Sequence, residues 1–295
     1  MRYWMGGVTG AGTLVLAVSL LMGATPAHKR YADMTEAEIS SQLKDAHKVA
    51  DLGDRIQRVT EPFLGTPYVL GNMGEGPDGD GRDKDPRFNV STTDCTTFVE
   101  HGMAFALSSN VAQARKRLDQ IRYTKGAVNY GTRRHWPEAQ WVPGLIEEGY
   151  LKDATSDVAG PKGTLETASV TINPEVFKTS AHAATMPLTD AEVPQGTFSI
   201  RYVPLDDAVH HEGRMEAGMV INIVKAEKAG LLVRISHQGL VVRKGGKVFI
   251  RNATSVGPKA VVDEPLAAFV TRQKNAKTWP TVGFQFLRAT VPPNG

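Results

Sequence analysis

The dipeptide Gly245-Gly246, framed by Lys244 and Lys247 and by the runs Leu240-Val241-Val242 and Val248-Phe249-Ile250, constrains this chain more than any other feature. A two-residue glycine loop between apolar runs is the connection favoured between paired antiparallel strands. If Lys244 pairs with Lys247, Leu240 faces Arg251, Gly239 faces Asn252 and His237 faces Thr254. Residues 237, 239, 252 and 254 then share one side of the sheet, and Asn252 becomes a diagonal neighbour of His237, within reach of polar side chains. A slip of one residue would send Asn252 to the opposite face.

The rest of the chain extends this picture. Phe198 to Val203, Met219 to Val224, Leu231 to Val242, Lys247 to Arg251 and Val282 to Ala289 are β-branched or alternating runs separated by Gly, Pro and charge, which predicts strands. The first half is helical in period. Thr35-Glu36-Ala37-Glu38 is a capping box that opens a helix with Ile39, Leu43, Ala46, Val49 and Ala50 on one side. Gly53 is expected to break it, and Ile56, Val59 and Phe63 carry a second apolar face. A helix is predicted from Thr93 to about Ser108, with Phe98, Val99, Met103, Ala106 and Leu107 buried, and another over 112–121. Residues 153–196 show no period and are expected to form a long irregular excursion. Helices first and an antiparallel sheet second define an α+β class.

Composition excludes more than it selects. A hydrophobic fraction of 41% and a charged fraction of 22% are ordinary for a globular protein. A net charge of +3 with dispersed basic residues gives no footing for nucleic acid. The start, Met1-Arg2, an apolar run from Val8 to Met22 and then Ala24-Thr25-Pro26-Ala27, reads as a signal peptide cleaved near Ala27. The run falls short of the roughly 20 apolar residues of a membrane span. That predicts a periplasmic or secreted protein, with 28–295 as a single domain and no later span. No cofactor or metal is expected. Asp78, Asp80, Asp83 and Asp85 miss the EF-hand spacing, and His210-His211-Glu212 lacks a third spaced ligand.

Cys95 is the single cysteine. In an exported chain it has no internal disulfide partner, so it is either a small buried hydrophobe or a nucleophile. Its place at the start of a helix capped by Thr93 or Asp94 aims unpaired N–H groups and the positive end of the helix dipole at the sulfur. Both are expected to lower the thiol pKa, and the same N–H groups suit an oxyanion. A base must come from far along the chain. His237, set in a strand, is the candidate, and the Asn252 carbonyl is placed to fix its tautomer, the Cys-His-Asn logic of thiol hydrolases. The alternative for His237 is a hydrogen-bonded core histidine.

These residues also carry a resemblance. Phe63-Leu64-Gly65-Thr66-Pro67-Tyr68-Val69-Leu70-Gly71, Thr93 to Glu100, Ser236-His237-Gln238-Gly239-Leu240-Val241 and Arg251-Asn252-Ala253-Thr254-Ser255 resemble the N-acetylmuramoyl-L-alanine amidase-like branch of the NlpC-type, papain-like cell-wall hydrolases. Tyr130 to Trp141 resembles the Arg-X-His-aromatic segment of that branch. The resemblance implies a circularly permuted papain-like α+β fold, with the cysteine helix packed on the sheet that carries the histidine. It implies hydrolysis of an amide in peptidoglycan or its muropeptide fragments with Cys95 as nucleophile and His237 as base; a monomer is expected. Tyr68, Asp94, Arg134, His135 and Trp136 are the implied substrate-binding residues. Plain packing or capping is the competing role for Tyr68, Asp94, Trp136 and Trp141. Two positions depart from the pattern: Asn252 stands where His is usual, and Met219 where Asp commonly follows the glycine.

Overall fold

The computed structural model describes residues 29–293. The segment read as a signal peptide lies outside the described residues. The helices are α1 (Glu36–Ala46), α2 (Leu52–Thr60), α3 (Cys95–Ala106), α4 (Val111–Arg122) and α5 (Val142–Glu147) in the first half. The second half runs β1 (Leu151–Asp153), α6 (Thr155–Ala159), β2 (Glu166–Ile172), α7 (Pro174–Lys178), β3 (Gly196–Pro204), β4 (Val220–Lys225), β5 (Ile235–Lys244), β6 (Lys247–Ala253), β7 (Val261–Pro265), α8 (Leu266–Lys274) and β8 (Thr281–Ala289). The eight strands form one sheet in the order β2-β3-β8-β4-β5-β6-β7, with β1 on the far end of β8, and every ladder is antiparallel. This is a mixed α+β fold, as the run of helices before strands predicts.

Local chemistry explains the element ends. The capping box at Thr35 and Glu38 is present in both directions, and Ile39, Leu43 and Ala46 are buried. Gly53 does not break a helix. The break falls at 47–51, Asp51 caps α2, and Gly53 sits inside it because a Cβ there would collide with the Ala217 carbonyl oxygen. The requirement at Gly53 is close approach of backbones rather than flexibility. Gly245 and Gly246 have φ of 54° and 78°, a conformation that costs glycine little. The register they set is the predicted one, with Lys244 opposite Lys247 and Leu240 opposite Arg251.

The stretch 153–196 is more ordered than its composition suggests. It contains α6, β2 and α7, and β2 pairs with β3 over its whole length. Along β2 the buried residues are Ala168, Val170 and Ile172, alternating with exposed Ser and Thr. The outward hydroxyls pair across the strands, Ser169 with Ser199 at 3.0 Å and Thr171 with Thr197 at 2.9 Å. Small and hydroxylated residues blur the alternation that a sequence reading relies on. β7 and α8, which the sequence reading did not anticipate, close the far edge.

Layers of helix cover both faces of the sheet. α1 to α4 bury Phe98, Val99, Met103 and Leu118 with Val220, Leu240 and Leu287 on one face. α6 and α8 bury Val158 and Phe269 with Ile221, Ile223, Val241 and Ile250 on the other. Met219 belongs to this second core and is 1% exposed, so an apolar residue suits that position. No helix among the described residues is long and apolar enough to cross a membrane.

Candidate active site

Cys95 is the first residue of α3, and Asp94 is the N-cap. The Asp94 side chain accepts from the Thr97 N–H at 2.8 Å, and its other oxygen accepts from Gly71 N–H at 3.1 Å. Asp94 thereby fastens the 71–92 loop to the helix start. Its carboxylate is buried and is absent from the cleft wall. Tyr68 is held beside it by an N–H bond to the Lys259 carbonyl at 2.8 Å and a bridge to Thr93. Burial pushes the Tyr68 phenol up, and negative charge at Cys95 and Asp94 adds to that.

A cleft of about 310 Å³ brings Tyr68, Cys95 and His237 onto one wall system, with Lys225, Thr254 and Arg272 around them. A larger cavity of about 580 Å³, lined by His47, Arg55, Lys116 and Arg117, contains neither Cys95 nor His237. The chemistry therefore belongs to the smaller cleft. Lys225 ends β4, His237 lies near the start of β5, Thr254 follows β6, and Arg272 comes from α8, so the cleft opens where these strands end.

His237 Nε2 lies 3.0 Å from Asn252 Oδ1. The Asn252 amide is oriented by its own Nδ2, which donates to the Ile250 carbonyl at 3.2 Å. Oδ1 then faces the ring, so Nε2 carries the proton and Nδ1 is the free acceptor. Gly239 makes this possible. A side chain there would press to 3.1 Å from the Asn252 Cβ, in the space the diagonal contact uses. Burial pushes the His237 imidazole down to about 4, with the Asn252 bond opposing, and Arg272 and Lys225 depress it further. At neutral pH His237 is an uncharged base.

The thiol behaves differently from the sequence expectation. Burial, then the Asp94 carboxylate, push Cys95 up to about 12, outweighing the Gln238 N–H and the Thr96 hydroxyl and N–H that favour thiolate. The helix terminus supplies donors, but desolvation of the sulfur is the larger effect. No direct Sγ–imidazole hydrogen bond is present among the described residues. The cleft thus pairs a protonated thiol with a neutral imidazole.

The remaining residues proposed for substrate serve elsewhere. Arg134 is 6% exposed and donates to the Gln120 and Ile121 carbonyls at 2.9 and 2.6 Å and to Glu148 at 2.5 Å. These bonds lock α4 to α5. His135 bonds the Tyr130 carbonyl at 2.7 Å, and burial drives its ring down to about 4. Trp136 is 1% exposed and packs with Val170, Ile172 and Phe177. None of the three lines the cleft. Their sequence segment is aromatic and basic for packing reasons, a distinction that local sequence does not carry. Trp141 is likewise buried, and its Nε1 donates to Glu100 at 3.1 Å. The acidic loop is tied by arginines: Arg133 binds Glu75 and Asp83 at 2.6 and 2.8 Å, and Arg82 binds Asp80 and Glu192 at 2.6 and 2.8 Å. His210, His211 and Glu212 form part of a short 3-10 turn, where Glu212 accepts from the Val248 N–H at 2.9 Å. Lys225 and Arg272 were missed from sequence. Neither belongs to a motif, and only the meeting of β4 with α8 brings them to the cleft.

An α+β sheet with a cleft built from a helix start and strand ends defines the class of this protein. The chain belongs to the AmiA-like family, described as N-acetylmuramoyl-L-alanine amidase-like, which it matches over residues 58–278, a stretch that includes Cys95, His237 and Asn252. Solved structures agree in fold. A protein from Legionella pneumophila, described by the family model DUF1460, is 23% identical with a TM-score of 0.74, covering 87% of this chain and 95% of that one. An N-acetylmuramoyl-L-alanine amidase from Bacteroides uniformis is 21% identical with a TM-score of 0.61, over 81% of this chain and 99% of its own. A putative xylanase from Bacteroides fragilis is 22% identical with a TM-score of 0.57, over 78% and 98%. No curated protein matches the chain.

Proposed function

We propose that the protein is an exported cysteine amidase of the NlpC-type, papain-like kind that hydrolyses the bond between N-acetylmuramic acid and L-alanine in peptidoglycan or its fragments. Membership of the amidase-like family supports the substrate class. The observation that carries the mechanism is a cleft shared by Cys95, at a helix start, and His237, whose Nε2 is engaged by Asn252. The Nδ1 of His237 accepts the thiol proton as sulfur attacks the lactyl carbonyl carbon. The oxyanion takes hydrogen bonds from N–H groups such as those of Gln238 and Thr96. His237 returns the proton to the leaving L-alanine nitrogen, the C–N bond breaks and a thioester forms. Water then attacks the thioester with His237 as base, releasing the acid and restoring the thiol. Because the thiol rests protonated, proton transfer accompanies attack instead of preceding it. Export to the periplasm or beyond follows from the segment before Ala27 and suits this substrate.

Two competing readings keep the fold. One moves the cut into the stem, between γ-D-glutamate and a diamino acid. The other is a silent wall-binding module, favoured by Asn252 standing where the related pattern has His. Mass spectrometry of muropeptides after incubation separates all three. Loss of the whole peptide from the sugar supports the amidase, a shortened stem the endopeptidase, and unchanged masses the binding module.

A further inference from the structure

Among the described residues Lys225 is a buried cation without a counter-ion. It is 8% exposed, and Nζ donates to the Trp279 carbonyl at 3.0 Å and the Thr281 hydroxyl at 2.8 Å, both neutral. Among the described residues no carboxylate lies within ion-pair distance of it. Its neighbour across the cleft, Arg272, is differently placed. That guanidinium is held by the Glu264 carboxylate, at 3.0 Å from Nε and 2.6 Å from Nη2. Lysines are rarely buried unless paired, because an uncompensated ammonium in a low-dielectric site is costly. Here two neutral acceptors and the Trp279 ring, whose centroid lies 6.0 Å from Nζ, surround the ammonium without neutralising it. Lys225 is one of the residues that line the cleft holding Cys95 and His237.

We propose that Lys225 is a carboxylate-recognition residue, selecting muramoyl peptides whose D-glutamyl α-carboxylate is free over those in which it is amidated. The inference rests on the muramoyl amidase reading and specifies its substrate. A carboxylate supplies what the site lacks, a negative charge with acceptor lone pairs. Ser236 and Ser255 line the same cleft and offer hydroxyls to the second oxygen. Burial and the Arg272 charge hold the Lys225 ammonium below its ordinary pKa, a cost that an arriving anion removes. Lys225 and Arg272 also disfavour a charged His237, so an anion between them eases proton transfer to the imidazole. The Lys225 charge is therefore felt at the catalytic pair.

Calorimetric titration of Cys95→Ala protein, which cannot turn substrate over under this reading, tests the idea. N-acetylmuramoyl-L-alanyl-D-glutamate is compared with its α-amide, N-acetylmuramoyl-L-alanyl-D-isoglutamine. The acid is expected to bind about tenfold to a hundredfold more tightly than the amide, the range of a charge-assisted hydrogen bond. In the added Lys225→Gln background, which keeps hydrogen-bonding capacity without charge, the preference is expected to vanish through weaker binding of the acid alone. Lys225→Arg is expected to restore it, and its recovery shows that the pocket still folds around the substitution. Equal affinity for acid and amide, or a preference that survives Lys225→Gln, overturns the subsite and leaves the amidase reading standing. Binding of neither peptide removes the amidase reading and the subsite with it.

Discussion

His237 and Asn252 meet across the β5–β6 hairpin at 3.0 Å, Nε2 to Oδ1, in a diagonal contact that the Gly245-Gly246 turn sets and Gly239 leaves open. The contact fixes which ring nitrogen carries the proton, and that choice governs what the cleft can do.

If Asn252 orients the imidazole, Asn252→Ala lowers kcat more than it raises KM, because orientation matters mainly in the transition state. A loss of about tenfold to a hundredfold is expected, the order found when the hydrogen-bond partner orienting a metal-bound histidine is removed. Asn252→His restores most of it. Steady-state kinetics of the two variants decide, and full activity in Asn252→Ala across the pH range would refute the role.

Cys95→Ala is expected to abolish hydrolysis while the fold persists, since the substitution removes a single sulfur atom from a half-buried residue. Muropeptide assays with circular dichroism on the same sample test both halves. Appreciable residual turnover would remove the cysteine from the mechanism.

The pH dependence follows from the two shifted groups. His237 must be neutral to act as base, and its pKa is pushed down to about 4, so kcat/KM holds its plateau below pH 6 and falls only near pH 4. Cys95 is pushed up to about 12, so alkylation by iodoacetamide at pH 7 is slow and accelerates only in alkali. Rapid alkylation at pH 5 would instead reveal a preformed thiolate–imidazolium pair.

Fold stability has its own pH signature at His101. The ring is fully buried among Phe63, Phe88 and Phe105, with Nδ1 on the Thr97 carbonyl at 2.7 Å. Burial lowers its pKa to about 4 in the folded state. The contribution is present above the unfolded value near 6.5 and is lost as pH falls toward 4, because the unfolded chain then binds the extra proton. Between pH 7 and 4.5 the loss is roughly 2 to 3 kcal/mol. Glu138, raised by burial to about 7, contributes in the opposite sense, stabilising at low pH and losing that contribution as pH rises through 7. Urea unfolding of native and His101→Asn protein at both pH values should show a smaller drop in the variant.

Arg122 and Glu100 form a buried pair at 2.9 Å, with Trp141 on the second Glu100 oxygen and the Met73 carbonyl on Arg122. Arg122→Met strands the carboxylate and is expected to cost about 3 to 5 kcal/mol. Adding Glu100→Gln should recover part of it. A double-mutant cycle by chemical denaturation measures the coupling, and additive effects would show that the pair does not act as a unit.

Much of this molecule was legible in the chain because its signals are local. A two-glycine turn sets register by backbone geometry alone, so the side of the sheet shared by His237 and Asn252 could be worked out by counting. The α3 start was equally readable, since Asp94 and Thr97 cap within four residues of one another. Tertiary structure decided what depends on neighbours distant in sequence. Burial, which no motif encodes, turned the expected thiolate of Cys95 into a protonated thiol and made Arg134 and Trp136 parts of the core. The alternation in β2 became a strand because β3 lay beside it. Lys225 and Arg272, 47 positions apart by their numbering, reach one cleft only when β4 and α8 pack together. Charge, desolvation and accessibility are sums over everything nearby, and the sequence alone does not say what is nearby.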